Sequence, residues 1–328
     1  MPTWSWTTST TPYRDSRGLV RRVRSPRPGL SLLCTIALAT AGCLTATVPA
    51  GPVAVSAPAT RAAPPVPLPN QQGSLKFGVM GDFGTGSREQ YQMAEQMAKL
   101  HSRFPFELML TVGDNIYGSE RPQDFVRKFE TPYKPLLDAK VKFYATLGNH
   151  DSRQQSLYEP FNMGGRTYYT FKAPHQDVRF FALETSYLEP AQIAWLEKEL
   201  ASSNEAWKIP YFHHPLYSSA GRHGSDIPKR RVLEPLFIKY GVSVVFAGHD
   251  HVYERIKPQD GIVHFVVGSS GQLRRGNLDR STGLTAAAND TDRVFLVAEI
   301  AGDEMYFNAV SRTGAIVDSG VIRRRTAQ

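Results

Sequence analysis

Cysteine is nearly absent from this chain. The two among 328 residues, Cys34 and Cys43, both precede position 44. The remainder therefore has no disulfide, no thiol nucleophile and no cysteine-held zinc. Acidic residues are scarce at the start: residues 1–74 hold seven of the 38 basic residues and one of the 30 acidic ones, leaving 31 against 29. The formal net charge of +8 is thus concentrated near the N-terminus. Beyond it there is no cationic excess of the kind a nucleic-acid-binding face requires, and no nucleic-acid partner is expected. A long apolar run is also missing. "LSLLCTIALATAG", residues 30–42, stops at 13 residues, short of the roughly 20 that a spanning helix needs.

That short run follows Arg14, Arg17, Arg21, Arg22, Arg24 and Arg27. A basic stretch before a brief apolar one reads as an export signal over residues 1–43. Cys43 after "ATAG" suggests lipoprotein processing, which would tether the protein to a membrane; cleavage at a later small-residue site is the alternative. Residues 44–74, rich in Ala, Pro and Val, read as an extended tether. The expected location is outside the cytoplasm: periplasmic, cell-surface or extracellular. A folded domain is expected over 75–323, with 324–328 as a tail.

Within that domain one arrangement recurs. Short β-branched or aromatic runs end in polar residues: "LKFGVMGDFG" (75–84), "FELMLTVGDNIYG" (106–118), "VKFYATLGNHD" (141–151), "WKIPYFHHPLY" (207–217) and "GVSVVFAGHDH" (241–251). Four of the five reach a glycine just before those residues. Residues 87–104 and 189–204 carry apolar residues at helical spacing, and 122–137 reads as a helix broken by prolines. Strands alternating with helices predict an α/β domain with a largely parallel sheet. After Gly261 the strands follow one another without helices, which predicts a mainly antiparallel sheet packed on the first. In open α/β sheets ligands gather beyond the carboxyl ends of the strands, so the five motifs can converge.

The converging donors are Asp82, Asp114, Asn149, His213, His249 and His251, with Tyr117 three residues past Asp114. Taken singly, Asp82, Asp114 and Asn149 are ordinary turn residues, and Tyr117 could be an aromatic packed on an edge. Together, oxygen and imidazole donors suit first-row ions such as iron, zinc and manganese. Seven are too many for one tetrahedral zinc but suit two ions sharing a carboxylate. Two neighbouring ions can clamp the attacking and leaving oxygens of a displacement at phosphorus, so the expected reaction is phosphoester hydrolysis.

The ordered set "GDFG…GDNIY…GNHD…HHP…GHDH" resembles the calcineurin-like metallophosphoesterases, and among them the purple acid phosphatases, which Tyr117 marks. Plant-type members carry an extra β-sandwich before the catalytic domain; this chain is more similar to the small, mammalian-type, tartrate-resistant members. The resemblance implies a four-layer αββα sandwich of two mixed β-sheets flanked by helices. It implies that Asp82, Asp114, Tyr117 and His251 hold a ferric ion. Asp114, Asn149, His213 and His249 would hold a divalent Zn, Mn or Fe ion. It implies an acid phosphatase that hydrolyses phosphomonoesters, small phosphorylated molecules, by metal-hydroxide attack, with a mildly acidic optimum. His150 would contact the phosphate and protonate the leaving group, and Asp151 would orient His150. Asn149, His214 and His223 would bind substrate, with His223 also serving catalysis or standing as a polar loop residue. Two other readings accompany this one: a divalent-metal phosphodiesterase or nucleotidase, and a non-enzymatic surface domain binding metal or phosphate. Arg274 and Arg275 read as solvated loop charges or as contacts to an anionic substrate, and Glu254 and Arg255 as an ion pair.

Overall fold

The computed structural model describes residues 64–325. Residues 1–63, where the export signal and the first part of the tether are expected, lie outside the described residues. Among the described residues, thirteen strands fall into two mixed sheets. The first has β1 (Leu75–Met80) between β2 (Leu108–Val112) and β11 (Val294–Ala301), with β3 (Lys142–Thr146) at one edge. β12 (Glu304–Ser311) and β13 (Ile316–Arg323) complete the other edge. β1, β2 and β3 run parallel, whereas β11 to β13 form an antiparallel meander.

The second sheet begins with β4 (Tyr169–Lys172), β5 (Val178–Ala182), β6 (Trp207–Tyr211) and β7 (Val244–Ala247). β9 (Val263–Val267) pairs parallel to β7, then β8 (Tyr253–Ile256) and β10 (Thr285–Asn289) close the far edge. Phe77 of β1 meets Phe180 of β5 and Phe246 of β7 edge-on, with centroids 5.4 and 6.1 Å apart. Aromatic rings thus fill the layer between the facing sheets. On the outer face of the second sheet, α4 (Pro190–Ser202) and α5 (Ile227–Lys239) bury Leu196, Leu200, Leu233 and Phe237. α1 (Arg88–His101) buries Met93 and Met97 in the core cluster that includes the first sheet. The four-layer arrangement is therefore the one the chain adopts.

Its partition differs from the strand-by-strand expectation. The five motif strands do not share one sheet: three lie in the first and two in the second. The late strands do not form a sheet of their own either. β11 pairs directly with β1, while β9 extends the second sheet. Strand order records nothing about which edge a later strand joins, because both sheets bury both faces and read alike.

The proline-broken helix is continuous instead. α2 (Pro122–Phe125) passes through a π-helical stretch, Val126–Glu130, into α3 (Thr131–Asp138). Pro132 has no N–H to offer the Lys128 carbonyl, which accepts from Gln90 Nε2 at 2.5 Å instead. Residues 66–74, expected as tether, are instead held on the domain. Val66 N donates to Ser319 Oγ (2.8 Å), and Asn70 N, Gln71 N and Ser74 Oγ donate to buried Glu299. At the other end, Arg324 and Arg325 remain tied to Asp303 and Ser243.

Candidate metal centre

Each motif strand delivers its polar residue through a tight turn. Asp82, Asp114 and His249 all sit in the left-handed region, at φ 53°, 51° and 69°. Such a conformation costs an L-residue on the order of 1 kcal/mol or more. Three within one cluster mean that the surrounding structure holds them there. The glycines beside them admit the neighbouring strand ends. A Cβ on Gly148 would lie 2.1 Å from Asp114 Oδ1, and one on Gly248 2.6 Å from Asp82 Oδ2. Each aspartate thus reaches across the next loop: His249 N donates to Asp82 Oδ2 (2.9 Å) and His150 N to Asp114 Oδ1 (3.0 Å). Gly148→Ala should push Asp114 aside, lowering activity about 10- to 100-fold, the range for losing a group that orients a metal ligand. Steady-state kinetics with metal analysis would check this; wild-type values in both would refute the steric argument.

The donors gather in two groups. In one, Tyr117 Oη lies 3.2 Å from Asp82 Oδ1, 2.9 Å from Asp114 Oδ2 and 3.1 Å from His251 Nε2. One phenolic proton cannot serve three acceptors at once. Asp82, Asp114 and His251 present ligand atoms within 4.8 Å of one another. In the other group, His213 Nε2 lies 3.1 Å from Asn149 Oδ1, 3.2 Å from His249 Nδ1 and 3.4 Å from Asp114 Oδ1. His213 Nδ1 donates to the Val112 carbonyl at 2.9 Å. That bond fixes the tautomer and leaves the Nε2 lone pair facing the group. The two oxygens of Asp114 divide between the groups.

The electrostatics call for cations. Burial, then the charges of Asp82 and Asp114, raise the Tyr117 phenol far above its usual range. Burial likewise raises Asp82, opposed by His213 and reinforced by Asp114. Burial lowers His249 to about 2, with the neighbouring histidines acting the same way, and His251 to about 4, where Arg274 adds to burial and Asp114 and Asp250 oppose it. Neutral imidazoles, crowded carboxylates and a phenol with more acceptors than its one proton can serve are a donor set that fits metal ions. The residues present therefore fit two ions.

Around these groups lie the other residues expected to act. His150 is exposed, its ring centroid 5.0 Å from that of Tyr117. The rings of His214 and His223 lie 4.5 and 4.2 Å from that of His249. With Arg222 and Asp226 they line an open cavity of about 460 Å³. Thr185 Oγ1, 3.0 Å from His214 Nδ1, orients that ring.

Asp151 does something other than orient His150. Its oxygens accept from the amides of Asn115, Ile116 and Gly148, and from the side chains of Asn115 and Gln155. Both are occupied, and none of these donors belongs to His150. Asp151 instead stitches the Gly148 loop to the Asp114 loop and so sets the spacing of their donors. Adjacency in sequence suggested a partner that none of these bonds includes. Glu254 and Arg255 do not pair either: Glu254 binds Ser219 N and Thr285 Oγ1, and Arg255 binds Asp318. Successive strand residues point to opposite faces.

Two further supporting residues are given no role by the sequence pattern. Buried Lys128 donates to the carbonyls of Tyr117 (2.5 Å) and Ser119 (3.2 Å), fixing the loop behind Tyr117. Buried Asp250 accepts from Ser218 Oγ (2.6 Å) and Gly224 N (3.2 Å), anchoring the loop that carries His223. Asp250 lies 26 to 32 residues from what it holds, Lys128 only 9 to 11.

Comparison with known proteins shows the family. The family model described as "Calcineurin-like phosphoesterase" matches residues 75–253. Purple acid phosphatase 17 of Arabidopsis thaliana is 29% identical over 248 residues, 64% of this chain and 72% of that protein. Tartrate-resistant acid phosphatase type 5 of Oryctolagus cuniculus is 25% identical over 249 residues, 62% and 75% of the two chains. A solved Plasmodium structure, GAP50, titled the anchor in the inner membrane complex, superposes with TM-score 0.67 at 19% identity. It covers 78% of this chain and 90% of its own, a likeness of fold alone. With its ordered motifs, its two groups of metal-suited donors and these relatives, the chain belongs to the calcineurin-like phosphoesterase family and is a metal-dependent phosphoric ester hydrolase.

Proposed function

We propose that this protein is an exported acid phosphatase hydrolysing phosphomonoesters at a dinuclear centre of one ferric and one divalent ion. In this reading Asp82, Asp114, Tyr117 and His251 hold the ferric ion. Asp114, Asn149, His213 and His249 hold zinc, manganese or ferrous iron. The observation that carries it is Tyr117 Oη within 3.2 Å of Asp82, Asp114 and His251: a phenol oxygen among the donors suits a hard trivalent ion. When bound, the two ions would neutralise the phosphoryl oxygens and make a water acidic enough to attack phosphorus in mild acid. His150 would protonate the departing alkoxide, and Asn149, His214 and His223 would orient the phosphate. Export rests on the sequence of residues 14–43 alone, as does a membrane tether through Cys43.

The experiment is a visible absorption spectrum of the purified protein beside Tyr117→Phe. A broad visible band is expected, lost in the variant, together with an acidic pH maximum. A colourless protein that hydrolyses bis-esters with divalent ions would replace the ferric reading by the phosphodiesterase one. A non-enzymatic surface domain binding metal or phosphate predicts a missing ligand or a missing His150. This chain keeps them all.

A further inference from the structure

Beside the site two arginines stand without acidic partners. Among the described residues, neither Arg222 nor Arg274 has a carboxylate within 4.0 Å, whereas Arg255, Arg312 and Arg324 each do. They come from distant parts of the chain, but one clip joins their loops. Gly221 N donates to Asn277 O (2.6 Å) and Asp279 N to Ser219 O (2.7 Å), with Ala220 bridged to Leu278. Arg222 follows that clip and lines the cavity with His214, His223 and His249. Arg274 precedes it, and its backbone N donates to the carbonyl of His251 at 2.9 Å. Arg222 is exposed and Arg274 half-buried, so both heads have room to turn toward a ligand.

Arg222 thus stands in the cavity wall, and Arg274 is held through its backbone on His251. Nearby acids do not offset them. Asp226 in the same cavity is taken by Lys229 and by the first turn of α5, and Asp250 by Ser218 and Gly224. Two unpaired guanidiniums beside a centre that holds cations repel it and each other. An arrangement of that kind is stabilised by an anion larger than one phosphate.

We propose that Arg222 and Arg274 form a subsite for a second anionic group, so that preferred substrates carry another negative charge beside the phosphate being cleaved. This rests on the phosphatase reading for the placement of the first phosphate. Arginine suits the task, because its planar fork can pair with a carboxylate or a phosphate through two parallel bonds.

The test compares phosphoglycerate with glycerol phosphate, alkyl phosphates of similar shape that differ by a carboxylate. Wild type, Arg222→Gln, Arg274→Gln and the double variant are assayed as full chains loaded with metal. Melting temperature and metal content serve as controls. The wild type should favour phosphoglycerate in kcat/KM by about 10-fold or more, the worth of one charge-assisted hydrogen bond. In the double variant the ratio should fall close to one, with each single variant between. The single variants decide the matter if the double variant does not fold. A wild-type ratio near one would overturn the proposal. So would a preference kept in the double variant, because the carboxylate would then be chelating the centre. If neither ester is hydrolysed, the phosphatase reading fails separately, and calorimetric binding of the same pair applies the same criterion to the subsite.

Discussion

Asp114→Asn should abolish most activity, with kcat/KM falling on the order of a thousand-fold, the upper range for losing a single group that stabilises transition-state charge. The expectation is large because Asp114 alone belongs to both donor groups. Its Oδ2 is 2.9 Å from Tyr117 Oη and its Oδ1 3.4 Å from His213 Nε2. An amide keeps the shape but removes the charge, and its NH2 end would present hydrogens to one of the two groups. Metal content should fall below two ions per chain. Stability of the metal-free protein should move the other way or not at all. Asp114 is itself a cause of the raised pKa of buried Asp82, so removing its charge relieves repulsion between two carboxylates. Activity assays, metal analysis and thermal melts of the metal-free protein would check the three parts. Full activity in the Asp114→Asn protein would end the two-ion reading. A much lower melting temperature without metal would make Asp114 a structural residue.

His150→Ala should cost about 100- to 10,000-fold in kcat on alkyl phosphates, the usual contribution of a positioned general acid. On p-nitrophenyl phosphate the loss should be much smaller, since nitrophenolate departs without a proton. Metal content should stay at the wild-type level. His150 reaches the site through its backbone, whose N–H binds Asp114 Oδ1, while its exposed ring faces outward beside Tyr117. The side chain is therefore free to meet a leaving group without holding any donor in place. Equal losses on both esters would show that His150 binds phosphate but donates no proton. Lost metal would show that the ring supports the centre.

Much of the site is legible along the chain because its chemistry is written in residue types. Asp, Asn, His and Tyr at the ends of five strands are informative wherever those strands go, since the ends of parallel strands lie on one side. The amphipathic helices α1 and α4 are legible for a similar reason: each buries one face. α5 is not, because Pro235 stands inside it and it buries only Leu233 and Phe237. β10, "TAAAN", lacks the alternation of a half-buried strand and is held by its pairing with β8. The second sheet's edge escapes a reading of the chain for the same reason.

Residue order alone settles the chemistry: which donors exist, how they follow one another, and the absence of any thiol alternative in the domain. Folding chooses the neighbours. It places Asp151 against the amides of Asn115 and Ile116 instead of His150, puts Lys128 behind Tyr117, and clips the loops of Arg222 and Arg274 together. The division has a physical cause. A donor's identity is a local property carried by its own atoms. Its partners are chosen by packing between segments far apart in the chain, and no periodicity along it records that choice.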